Sequence, residues 1–196
     1  MSLSVLKGIT VDGETSRDLD DGFFVQETKS GWDVSVFIAH PTPDSISPKI
    51  FQDALSRGAS EYLKGGVVKN MLPREDAEHT FSLLPEHDPK ETLCIKMDIN
   101  KSGKATLKSV TLESFVSMGK LTYLDVSGER DLREEVFEQV NAGVACAQAL
   151  YSSRLGNITT EARDILDSNF EYISEEGVTT TYSPREIHGQ ILVQEL

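Results

Sequence analysis

The sequence is short of positive charge. Nineteen Lys and Arg stand against 32 Asp and Glu, for a net charge of −13, which on its own argues against a nucleic-acid-binding surface. It has no apolar run near the ~20 residues a membrane helix needs, and no signal-peptide pattern opens it. The expectation is therefore a cytoplasmic protein with no membrane contact. Cysteine is scarce: Cys94 and Cys146 are far apart and belong to no CxxC pair, which points to two reduced thiols and not a disulfide framework. The histidines, His40, His79, His87 and His188, show no zinc-ligand spacing and read as surface residues. Internal repeats, low-complexity tracts and linkers are absent as well. What is there is an ordinary globular composition, 38% hydrophobic and 26% charged over 196 residues, enough for one full core.

The shortage of positive charge is uneven. Residues 1–124 carry 14 basic and 18 acidic side chains, whereas residues 125–196 carry 5 and 14. Four of the acids in the first part crowd into one stretch, ITVDGETSRDLDDGFF, as Asp12, Asp18, Asp20 and Asp21. Apolar β-formers flank them, Ile9 and Val11 before and Phe23, Phe24 and Val25 after, so the carboxylates are expected at the mouth of a strand–loop–strand unit. Carboxylates this close repel one another and must spread into water, keep protons or share a cation. A hard divalent ion with oxygen ligands answers that repulsion, and a cluster of this kind has room for two. The alternative is a solvated acidic turn in which Asp20 or Asp21 caps backbone N–H groups. An EF-hand is excluded: counted from Asp18, Gly22 comes one place early and Lys29 stands where the closing glutamate belongs.

Along the rest of the chain, Trp32–Ala39 alternates as a strand pairing with Phe23–Glu27 across Lys29-Ser30-Gly31. Ser47-Pro48 opens a helix that buries Ile50, Phe51, Ala54 and Leu55 and ends near Gly58. Two strands, Leu93–Asn100 and Lys104–Val116, meet at Lys101-Ser102-Gly103; Lys96, Lys104 and Lys108 on them read as a solvated face. A long amphipathic helix runs from about Asp131 to Tyr151, with Leu132, Val136, Val140, Val144, Ala147 and Tyr151 on one face and Gly156-Asn157 as its stop. Phe170–Ile173 and Val178–Tyr182 form a hairpin, and Ser183-Pro184 starts a last helix running to Leu196. Antiparallel hairpins with helices inserted between them make the fold class α+β, a single domain built on a mixed, mainly antiparallel curved sheet.

The order Asp12, five residues, Asp18, one residue, Asp20-Asp21 resembles the acidic signature of the ribonuclease II (RNB) family of exoribonucleases. RGASEYL (Arg57–Leu63), MLPRE (Met71–Glu75), Ser82-Leu83 and MGKLTY (Met118–Tyr123) follow in the family's order. The resemblance implies that Asp12, Asp18, Asp20 and Asp21 bind Mg²⁺, with Mn²⁺ as a possible substitute, and support hydrolysis of single-stranded RNA from its 3′ end to 5′-mononucleotides. It implies too that Tyr62 stacks on a base near that end, a sequence-tolerant grip; read from the residues alone, Tyr62 would close the core at a helix end. His40 stands where the family usually has aspartate, Asn70 replaces a proline, and Asp76–Phe81 departs from the usual "LS…CSL" wording. The family's later motifs, an arginine-containing "SPIRRY"-like run, a second stacking aromatic and a late glutamate, have no counterpart here. Residues 1–196 thus resemble the first half of an RNB catalytic domain, without its second half or the flanking OB-type domains, and the chain alone is expected to be inactive. A non-catalytic RNB-like module that binds RNA or protein is the competing expectation.

Overall fold

Alternating apolar residues make the first three strands, and the last long one closes them into a ring. The computed structural model describes residues 4–42, 44–63, 67–85, 88–128, 131–156, 170–173, 179–182 and 188–196. Strands β1 (Val5–Val11), β2 (Asp21–Glu27), β3 (Gly31–Ala39), β6 (Lys90–Asn100) and β7 (Ala105–Leu121) form a closed barrel. Neighbours are antiparallel except β1 and β7, which run parallel from Val5 opposite Ser114 to Val11 opposite Leu121. The curved sheet expected from sequence is therefore a closed one. Strand β7 runs past Val116 because β1 claims its second half, a contact between distant parts of the chain that local alternation cannot announce.

Two apolar clusters separate inside from outside. Phe37 on β3 and Phe115 on β7 meet with ring centroids 4.8 Å apart although β6 lies between their strands, so they touch across the lumen. Leu19, Cys94, Leu83 and Leu84 complete that plug. The lumen is narrow enough to demand glycine at Gly8, where a Cβ would lie 2.5 Å from the Phe23 carbonyl oxygen and 2.8 Å from the Phe115 ring. The outer wall, with Phe23, Val25, Val34 and Val36, is covered by α3 (Glu134–Gly156) and α4 (His188–Glu195) through Val140, Ala147, Tyr151, Ile191 and Leu192. Strands β1 and β2 pair only at Ile9 and Phe23, and the Gln139 side chain on α3 accepts the Val25 N–H at 2.8 Å.

The first helix, α1 (Pro48–Arg57), is capped by Ser47, whose hydroxyl accepts the Ile50 N–H, and ends at Gly58 with φ +78°. Its packing departs from expectation at one place. Ala54 is buried and Ile50 and Phe51 pack beside Ile46 and Leu72, but Leu55 is 62% exposed because the partner surface is too narrow to take a fourth residue. Three elements escape local reading: the short hairpin of β4 (Glu61–Leu63) and β5 (Val67–Lys69), a π-helical turn at Asp76–Thr80, and α2 (Tyr123–Val126) with a Thr122/Asp125 capping box. The long helix keeps its expected face, with Val136, Val140, Ala147 and Tyr151 buried. The hairpin of β8 (Phe170–Ile173) and β9 (Thr179–Tyr182) is present; its turn, Val178, Asn157 and Ser183-Pro184 lie outside the described residues. Both cysteines are free and buried, and no described helix is long and apolar enough to cross a membrane.

Candidate metal centre

The aspartates ride on a loop, residues 12–20, that is pinned along its length to neighbouring strands. At its start the Asp12 N–H donates to the Leu121 carbonyl at the end of β7 (2.9 Å), and Asp12 Oδ1 accepts the Gly13 N–H (2.7 Å). In its middle the Lys120 ammonium donates to the carbonyl oxygens of Glu14 (2.9 Å) and Ser16. Toward its end, buried Ser82 accepts the Leu19 N–H at 3.1 Å and donates to the Arg17 carbonyl, while the Leu83 N–H reaches the Leu19 carbonyl at 3.0 Å. The Asp20 carbonyl accepts the Ala39 N–H at 2.7 Å, and Asp21 then enters β2 opposite Ile38. Leu19 is 1% exposed and belongs to the plug of the barrel. Because neighbouring side chains of extended backbone alternate, driving Leu19 inward turns Asp18 and Asp20 outward at the barrel's rim.

Electrostatics confirm that the four acids are neighbours. Asp20 keeps solvent-exposed surface, yet protein packed around its other sides thins its hydration. That desolvation, reinforced by the charges of Asp18, Asp21 and Asp12, pushes its pKa up to about 6. Asp21 is raised as well, first by burial and then by Asp12. Tyr123, on α2 just past β7, is held as a phenol by burial and by the charges of Asp12 and Asp21. The donor set fits a hard divalent cation: four carboxylates, mutually repelling, around one rim. Among the described residues no group of three His, Cys, Asp or Glu side chains is arranged to hold a metal ion, so the carboxylates would have to draw together around a cation. Beside the loop, Arg17 and Arg74 share Glu78 at 4.0 and 2.8 Å and, with Glu75 and His79, line an open pocket of about 420 Å³.

A family model for the RNB domain matches residues 2–196. This chain belongs to the RNB domain family. Among curated relatives, ribonuclease R of Vibrio parahaemolyticus is 33% identical over 84% of this chain and 19% of its own length; exoribonuclease 2 of Buchnera aphidicola is 36% identical over 65% and 20%. The chain thus spans about a fifth of the relatives it matches. Solved structures share the fold at lower identity: RNase R of Mycoplasma genitalium with ribose-methylated single-stranded RNA has a TM-score of 0.79 at 19% identity, covering 98% of this chain and 31% of that one. Yeast Ssd1, a pseudonuclease, has a TM-score of 0.63 at 14% identity, covering 95% and 23%.

Within this RNB fold the sequence-predicted residues separate into two groups. Asp12, Asp18, Asp20 and Asp21 come together on one rim. Tyr62 lies on β4 opposite Val68, a strand and not the helix end expected of it, and its side chain is outside the described residues. Sequence reasoning missed the groups that hold the RNB loop, Leu19, Ser82 and Lys120, and the phenol beside it, Tyr123. The Ser82-Leu83 and Lys120–Tyr123 positions were visible only as pieces of family motifs, with no role attached.

Proposed function

We propose that this chain carries the metal-binding half of a Mg²⁺-dependent, hydrolytic 3′→5′ exoribonuclease that acts on single-stranded RNA and releases 5′-mononucleotides. The observation that carries the proposal is Asp20, which feels the charge of all three other signature aspartates, in a chain of the RNB family. In this reading Asp12, Asp18, Asp20 and Asp21 hold Mg²⁺, or Mn²⁺ in its place. A bound cation supplies Lewis acidity toward a phosphate and lowers the pKa of water. The chain's own residues do the rest: Leu19, Ser82 and Lys120 fix the aspartate loop, Tyr123 offers a hydrogen-bond donor beside Asp12 and Asp21, and Tyr62 stacks on a base. The remainder of the RNB domain and OB-type flanking domains would complete the grip on the strand, so residues 1–196 form the first half of one catalytic domain and do not degrade RNA alone.

Calorimetric titration with Mn²⁺ should give saturable heat for this chain and none for Asp20→Asn; equal heats would sink the metal assignment. Incubation with 5′-labelled RNA and Mg²⁺ should show mononucleotide release by the full-length parent and none by residues 1–196. In the parent, Tyr62→Ala should weaken single-strand binding by the ~1–3 kcal/mol of one stacked base, whereas a large fall in thermal midpoint with RNA affinity intact would make Tyr62 a core residue. That yeast Ssd1, a pseudonuclease, shares this fold supports a second reading, a non-catalytic RNB-like module binding RNA or protein. A full-length parent that binds single-stranded RNA and leaves it intact with Mg²⁺ present would favour that reading.

A further inference from the structure

Lys120 hydrogen-bonds the loop that carries Asp12, Asp18 and Asp20, and its described contacts are to backbone carbonyls and not to an aspartate. Its partner across the β1–β7 ladder is Thr10, two residues before Asp12, so its side chain starts at the root of the aspartate loop. From there the half-buried ammonium crosses to the carbonyl oxygens of Glu14 and Ser16, both between Asp12 and Asp18. The span Gly13–Arg17 sets how far Asp12 stands from Asp18, and its ends are already tied: Asp12 N–H to Leu121, Arg17 carbonyl to Ser82. Within the span the Ser16 N–H reaches the Gly13 carbonyl at 3.2 Å, the Gly13 N–H reaches Asp12 Oδ1 at 2.7 Å, and Arg17 faces Glu78. A cation that bonded to the aspartates would fill the place a metal needs. One that gathers two carbonyls ties the loop without itself occupying a carboxylate oxygen.

We propose that Lys120 is a positioning residue for the metal loop: it acts through the Glu14 and Ser16 carbonyls to fix the span between Asp12 and Asp18, and with it the spacing of those two ligands for a divalent cation. The proposal rests on the metal reading of the aspartates, and it makes a prediction opposite in sign to simple electrostatics. A positive charge near a cation site opposes the cation, so if Lys120 acted only through its charge, removing it would tighten binding. As a clamp, its removal loosens the ligands and weakens binding, on the order of the tenfold or more that follows loss of a ligand-orienting partner.

The experiment is Mn²⁺ calorimetry on this chain as wild type, Lys120→Met, Lys120→Arg and Asp20→Asn, with thermal midpoints recorded without metal. Lys120→Met keeps the aliphatic stem and loses the ammonium; Arg can still donate to both carbonyls. The expected result is about tenfold weaker Mn²⁺ binding for Lys120→Met, wild-type-like binding for Lys120→Arg, and midpoints of the two within a few degrees of each other. Unchanged or tighter binding by Lys120→Met, with Asp20→Asn silent, overturns the clamp and leaves the metal reading standing. A wild type that takes up no Mn²⁺ overturns both. Should Lys120→Met lose its cooperative transition, Lys120→Gln, uncharged and too short to reach both carbonyls, replaces it. Wild-type or tighter affinity in that variant overturns the proposal, and weaker affinity supports it.

Discussion

The lumen of the barrel and the loop on its rim are built by opposite rules, though one residue, Leu19, belongs to both. In the lumen, Phe37 and Phe115 press together and Gly8 has no room for a methyl group; every neighbour there adds favourable contact. On the rim, desolvation of Asp20, reinforced by the charges of Asp18, Asp21 and Asp12, pushes its pKa up to about 6; every neighbour of like charge there opposes the folded state. The contrast teaches where such repulsion can be tolerated. The loop survives because it is pinned by Leu19, Ser82 and Lys120 to a barrel whose packing outweighs the repulsion.

The sharpest way to break this arrangement is from the lumen side. Gly8→Val would place a branched side chain against the Phe23 carbonyl and the Phe115 ring, at or beyond the ~3 kcal/mol upper range of overpacking. Loss of the cooperative unfolding transition by circular dichroism is expected, and a midpoint within a few degrees of wild type would show that the lumen is loose. Leu19→Ala tests the shared residue. Emptying its site should remove about 2–3 kcal/mol and, unlike Cys94→Ala in the same plug, should also weaken Mn²⁺ binding. Equal Mn²⁺ affinities for the two variants would mean that plug and loop are independent.

Asp20→Asn should work in the other direction. A carboxyl whose folded pKa is raised to about 6 from 3.8 stabilises the fold fully below pH ~4 and loses that contribution as pH rises through about 6, because the folded state there holds the extra proton. At pH 7 the asparagine variant should therefore be more stable than wild type by about 1 kcal/mol, a figure discounted for solvent screening at an exposed group. The difference should vanish near pH 4 and shrink when Mg²⁺ is added. A wild type more stable than Asp20→Asn at pH 7 without metal would contradict the account of the rim. The smallest effect is expected at Leu55, 62% exposed, where Leu55→Ser should change stability by less than ~0.5 kcal/mol; a larger loss would restore it to the buried stripe of α1.

Much of this was legible in the residues because it is local. Strand alternation marked Phe23–Glu27 and Trp32–Ala39, Ser47-Pro48 marked the start of α1, and the stripe from Val136 to Tyr151 marked α3, since each signal is a periodicity or a cap written in consecutive positions. The aspartate spacing was equally plain, though charge repulsion alone left both a shared cation and a solvated acidic turn open. Leu55 was misplaced because a helix's apolar stripe tells which face is buried and not how wide the covering surface is. The hairpin of β4 and β5 was missed because three-residue strands carry too little alternation to register.

The sequence by itself determined the α+β class, the family and the identity of the four acids, because composition, period and motif are properties of neighbouring residues. Tertiary structure decided that the sheet closes, through the parallel pairing of β1 with the end of β7. That same closure decided which residues serve the loop. It brings Lys120 and Leu121 beside Asp12, while the packing of Leu83 and Leu84 into the lumen brings Ser82 to Leu19 and Arg17. Hydrogen bonds from a lysine to carbonyl oxygens, or from a backbone N–H to a buried serine 63 positions away, leave no periodic trace in the chain. They exist only once the barrel has brought the two segments within bonding distance.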